Sequence, residues 1–257
     1  KLNRAWLPKH YTEQTAGLPV RRIVFVQAAC RRDQAWDEVC WVTRLAETEP
    51  RIQAIVADAP LERGKVAAPA LDRLAGNPLV RGVRCMLQQR KDPAFPLRPE
   101  FVEGVRLLGH HQFSFDFGVR ADQLAACAEL AGRCPAVRFM LDHLGAPSLE
   151  GEDFAKWQRD LEKLAARPNV CCKMSGLATR ADHDAWTAGD LAPAIRHAVE
   201  CFGLKRIAFG SDWPVMLLAT GFPRWVKVLR ETVTTDTAGL RRLFYETGAG
   251  FYRLDTG

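Results

Sequence analysis

Short apolar runs alternate with longer amphipathic ones along most of this chain. Ile23–Ala28, Ile52–Asp58, Val80–Leu87, Phe113–Val119, Val137–Leu144, Val170–Ser175 and Ile207–Asp212 have the length and side-chain content of strands. Between them, apolar residues recur at helical spacing over Asp33–Glu47, Gly64–Ala75, Pro99–Leu108, Ala121–Arg133, Asp153–Ala166 and Leu191–Phe202, and two more helical stretches follow the last strand. Such alternation predicts a parallel sheet covered by helices. The residues before Ile23 read as a loop and a short helix leading into a strand. A (β/α)8 barrel has eight strands and this count stops at seven. The expected fold class is therefore α/β, a TIM-type (β/α)8 barrel lacking its first strand in this sequence. No linker or low-complexity tract divides the chain, so 1–257 is expected to form one such domain, incomplete at its N-terminus.

Strand alternation sorts side chains into an outer, helix-facing set and an inner set. Val83, Cys85 and Leu87 belong outside, which leaves Gly82, Arg84, Met86 and Gln88 inside. Phe113, Phe115 and Phe117 likewise free Ser114, Asp116 and Gly118 to face in, and Ile207 and Phe209 free Ala208, Gly210 and Asp212. His143 shares a face with Phe139 and Leu141, and Lys173 shares one with Ser175. The expected lumen thus holds Arg84, Gln88, Asp116, His143, Lys173 and Asp212. That many polar groups are costly to bury unless they pair with one another or with a ligand. Asp116 neutralising Arg84 or Lys173 is the plain structural alternative for those three. His143 and Asp212 stand at or near the last positions of their strands, as do Gln88 and Asp58, where catalytic groups of such barrels sit. His110 and His111 precede their strand and belong at the opposite end.

Composition narrows the partners. The net charge of +6 is spread over scattered arginine doublets, which gives no basic stripe for nucleic acid. It suits a small anionic or polyhydroxylated ligand. No apolar run approaches the roughly 20 residues that span a bilayer. Eight cysteines without C-x-x-C pairs argue for reduced thiols and a cytoplasmic location. A homo-oligomer is left open.

The strings VRGVRCMLQ, FDFGVRADQLAACAELAGRCPAVRFMLDHLGAP, NVCCKMSGLAT, RIAFGSDWPV and GAGFYRL resemble the amidohydrolase superfamily over about Val20 to Leu254. The resemblance is to its lactonase branch, which includes sugar-lactone hydrolases of the fuconolactonase and rhamnonolactonase type and the related pyrone-dicarboxylate lactonases. LDHLG and GSDWP together carry the specificity. The family's first strand bears His-x-His, and no such motif occurs here. The resemblance implies a hydrolase opening a sugar-acid or dicarboxylate lactone, with Asp212 moving protons and His143 polarising the carbonyl. His143 and Asp212 are second choices as ligands of a divalent metal, zinc first among candidates, which the reaction need not require. Arg84, Gln88, Asp116, Lys173 and Trp213 are the expected substrate-binding residues, Trp213 as an apolar wall or as loop packing. The alternatives are a metal-dependent decarboxylase of the same superfamily, or a pseudoenzyme or partner subunit if the chain naturally begins at Lys1.

Overall fold

The β-branched and aromatic runs form strands where their pattern places them: β1 (Ile23–Val26), β2 (Ile52–Ala57), β3 (Val80–Met86), β4 (Ser114–Gly118), β5 (Phe139–Leu141), β6 (Val170–Met174) and β7 (Ile207–Phe209). The structure, a computed structural model, describes residues 2–233 and 236–254. All strand pairs are parallel, in the order β1-β2-β3-β4-β5-β6-β7. The helices are α1 (Pro8–Gln14), α2 (Ala35–Thr48), α3 (Ala68–Ala75), α4 (Pro99–His110), α5 (Leu124–Arg133), α6 (Gly151–Ala165), α7 (Ala188–Phe202), α8 (Phe222–Val233), α9 (Thr237–Arg241) and α10 (Thr247–Tyr252). None of the described helices is long and apolar enough to cross a membrane.

The sheet is rolled into a half-barrel. Ala54 and Val56 of β2 share one buried cluster with Met140 of β5 and Ala208 of β7. In a flat sheet β2 and β7 would stand five strand spacings of about 4.8 Å apart, too far for side chains to share a cluster. Ala249, Phe251 and Tyr252 of α10, with Leu254, fill the space between them. The outer faces carry the larger core: Phe115, Phe117 and Phe139 lie 4.9–6.0 Å apart, and Phe101 of α4 meets Phe115 edge-on at 5.9 Å. The inside–outside assignment from alternation holds for β3, β4 and β7.

The strands are shorter than their apolar runs. The expected strand Val137–Leu144 yields three residues and Ile207–Asp212 yields three, because in both cases the chain leaves the sheet early and turns sharply. The helical pattern from Gly64 begins as 3-10 helix over Leu61–Ala67, and α-helix starts only at Ala68.

Candidate active site

Those two early departures build the mouth of the half-barrel. Phe139 and Leu141 of β5 face the outer core while Met140 faces in. Parity would send Asp142 inward and His143 outward. The backbone reverses this for the histidine: His143 (φ 54°), Leu144 (φ 54°) and Ala146 (φ 52°) are left-handed, which swings the imidazole over the strand ends. Such a conformation costs roughly 1–2 kcal/mol per non-glycine residue, so it has to be held. Trp157 of α6 donates its indole N–H to the Leu144 carbonyl at 2.8 Å, and the Ala146 N–H closes on the His143 carbonyl at 2.8 Å. Gly176 makes room for the ring, since a Cβ there would lie 2.7 Å from His143 Nδ1. That nitrogen hydrogen-bonds Ser175 Oγ at 2.8 Å.

Asp212 arrives by the same device. Three residues beyond β7 it has φ 58°, and Trp225 of α8 donates to the Gly210 carbonyl at 3.0 Å. Asp212 Oδ1 stands 3.7 Å from His143 Nε2, and both side chains are about a quarter exposed, at 21% and 26%. Atoms at that spacing can both lie about 2.8 Å from one oxygen placed between them. Burial raises the Asp212 carboxyl above its ordinary range, against the opposing pull of His143. A raised carboxyl is better matched to exchanging protons near neutral pH.

Beneath this pair lies a buried ionic network. Lys173 Nζ donates to Asp142 Oδ1 at 2.5 Å and to Asp116 Oδ2 at 3.1 Å. Arg84 Nη1 donates to Asp142 Oδ2 at 3.0 Å, and its Nη2 donates to the Gln27 carbonyl. Tyr252 donates its hydroxyl to Asp116 Oδ2 at 2.5 Å. Burial alone would lift the Asp142 carboxyl, but Lys173 and Arg84 outweigh it and hold it well below the usual carboxylate range. Asp116 goes the other way, raised by burial against the pull of Lys173. Burial would likewise lower Lys173, but Asp142, Tyr252 and Asp116 keep its ammonium charged. Gly210 admits the lysine stem, as a Cβ there would meet Lys173 Cγ at 2.7 Å.

The structure therefore gathers His143 and Asp212 at the mouth, with Arg84, Lys173 and Asp116 below them. Asp116 has no exposed surface, so it meets Lys173 and Tyr252 where a substrate contact was expected. Both terminal nitrogens of Arg84 are occupied by the protein, and its Nε is buried without a partner. Gln88 lies past the end of β3 on an exposed 3-10 turn, its side chain leaning over Gly118. Trp213 packs edge-on against Trp6 at 5.3 Å and Tyr11 at 5.2 Å. Asp142 and Tyr252 belong to this buried network and were not among the residues expected from the sequence. Parity along β5 marks Asp142; Tyr252 reaches Asp116 from 136 residues away in sequence, and its string GAGFYRL resembles the family without marking the tyrosine. Among the described residues no three of His, Cys, Asp or Glu converge on one point. A catalytic zinc takes about three protein ligands, so His143 and Asp212 alone do not make such a centre.

A rolled parallel sheet with titratable side chains collected at the C-terminal ends of its strands is the layout of a barrel enzyme. More narrowly, the chain belongs to the amidohydrolase family, whose sequence profile matches residues 4–254. It is 37% identical over 246 residues to an L-fucono-1,5-lactonase of Burkholderia multivorans, covering 90% of this chain and 80% of that one. An L-fucono-1,5-lactonase of Burkholderia ambifaria is 32% identical over 246 residues, covering 92% and 81%. The crystal structure of an amidohydrolase from Burkholderia multivorans with bound zinc superposes with a TM-score of 0.88 at 31% identity, covering 98% of this chain and 90% of that one.

Proposed function

We propose that this protein is a lactonase that opens small sugar-acid lactones by adding water across the ring ester. The observation that carries the reading is the meeting of a partly exposed imidazole and a raised carboxyl, 3.7 Å apart at the mouth. The lactonase relatives support it. Asp212 as carboxylate takes a proton from water while the water oxygen bonds to the lactone carbonyl carbon. The ring C–O bond then breaks, and Asp212 returns the proton to the departing ring oxygen, leaving an open-chain hydroxy acid. His143, held through Nδ1 by Ser175, aims Nε2 at the carbonyl oxygen as charge builds there. Lys173, Arg84 and Asp116 act through Asp142, fixing a negative charge beneath the imidazole. Trp213 closes one side of the mouth and Gln88 lies at its edge. All eight cysteines are unpaired, which supports a reducing, cytoplasmic setting.

The test is a pH-indicator assay on a panel of aldonolactones. Asp212→Asn is expected to lower kcat by about 10²- to 10⁴-fold, and full activity in that variant would overturn the assignment. In the wild type the acidic limb of kcat/KM is expected above the ordinary carboxylate range, because the raised Asp212 must lose its proton before it can act as base. Chelation followed by zinc addition completes the assay. Loss and recovery of activity would make imidazole and carboxylate part of a metal centre with further ligands.

A further inference from the structure

The mouth has a second compartment that the hydrolytic pair does not use. Over the C-terminal ends of β1, β2 and β3 lies a cleft of about 370 Å³, a volume in the range of small-molecule sites. Its floor is apolar, from Met86, Leu87 and Phe95, and its wall carries Asp58, Glu62 and Arg32. Asp58 follows the last residue of β2 and is only 16% exposed. Arg84 joins the compartments, because one end of its guanidinium binds Asp142 under His143 and the other binds the carbonyl of Gln27, a residue of the cleft wall.

The charges select the kind of ligand. Arg32 is the cation nearest the carboxylates, with its Nε 3.6 Å from Asp58 Oδ2 and its Nη1 bound to Glu62. That guanidinium serves two carboxylates, and a second cation of the lining, Arg90, lies over the Phe95 ring at 4.6 Å. A neutral polyol meets carboxylate oxygens with spare acceptor capacity, since an ionised carboxylate offers about four lone-pair sites. The apolar floor complements the C–H face of a sugar. The geometry points to this cleft as the hydroxyl-binding subsite of the enzyme, with Asp58 as its specificity-determining residue and the hydroxyls of a polyhydroxylated lactone as its ligand. This assignment rests on the lactonase reading and adds to it the residue that would read the substrate's hydroxyls.

The experiment compares kcat/KM for an aldono-1,5-lactone and for δ-valerolactone, which has the same ring without hydroxyls, in the wild type, Asp58→Asn and Glu62→Gln. Wild type is expected to prefer the hydroxylated ring. Asp58→Asn is expected to lose about ten- to hundredfold on it, the range for a hydrogen bond to a charged group, with δ-valerolactone within about twofold of wild type. Glu62→Gln, on a more exposed side chain, is expected to shift the same ratio in the same direction and guards against a folding defect in the first variant. A ratio unchanged in both variants, or parallel loss on both lactones, overturns the subsite and leaves the lactonase reading standing. A wild type that opens neither ring overturns the lactonase reading and this assignment together.

Discussion

Two kinds of neighbour share the inner face of the half-barrel. Met140 is in register with Asp116, and Ala208 with Lys173, so an apolar cluster and an ionic network lie side by side. The apolar side is Ala54, Val56, Met140 and Ala208 against α10, and the ionic side is Arg84, Asp116, Asp142 and Lys173. Both are buried, yet they are held differently. The apolar side is stabilised by the area it removes from water, which many side chains of similar volume would supply. The ionic side holds only while every charge keeps its partner, since each costs several kcal/mol to desolvate. Tyr252 spans the two, its ring in the apolar cluster and its hydroxyl on Asp116. The two sides of this face are therefore vulnerable to different substitutions.

Lys173→Met attacks the comparison hardest. It removes the ammonium shared by two buried carboxylates, leaving Asp142 with Arg84 and Asp116 with Tyr252, and is expected to lower the unfolding free energy by about 3–5 kcal/mol, read from denaturant melts. A loss under about 1 kcal/mol would mean that the ionic side is as forgiving as the apolar one. Tyr252→Phe keeps the ring and removes one donor from Asp116, whose Oδ1 already lacks a partner. The expected cost is about 1–3 kcal/mol. Met140→Leu conserves volume on the apolar side and is expected to cost less than about 1.5 kcal/mol. A larger penalty for Met140→Leu than for Tyr252→Phe would invert the ranking and break the distinction.

Much of this was legible in the sequence, and for a definite reason. Alternation along β3, β4 and β7 is uninterrupted, so Arg84, Asp116 and Ala208 point where parity sends them. The same rule fails at His143, which would face outward had the chain stayed extended. Its neighbour Asp142, the carboxylate that joins Lys173 to Arg84, follows the rule and was overlooked in favour of the histidine. The indoles of Trp157 and Trp225 hold the two mouth-forming turns from helices 13 and 15 residues away, an interaction that helical periodicity represents only as core packing. The strand count was legible from alternation alone: among the described residues the sheet runs from β1 to β7, the seven strands that the apolar runs mark.

The left-handed backbone at His143 and Asp212 also limits which residues those positions can hold. Chemistry alone would accept aspartate or glutamate as the proton carrier, and more than one donor as the polarising group. The main chain adds a separate preference, because asparagine, aspartate and histidine are several-fold enriched among non-glycine residues in the left-handed region. At position 212, with φ 58°, aspartate is the acid so enriched; at position 143, with φ 54°, histidine and asparagine are the enriched residues that can donate to a carbonyl oxygen. Under the proposed mechanism the turn would therefore narrow position 212 to aspartate and position 143 to histidine or asparagine, a restriction separate from the reaction itself.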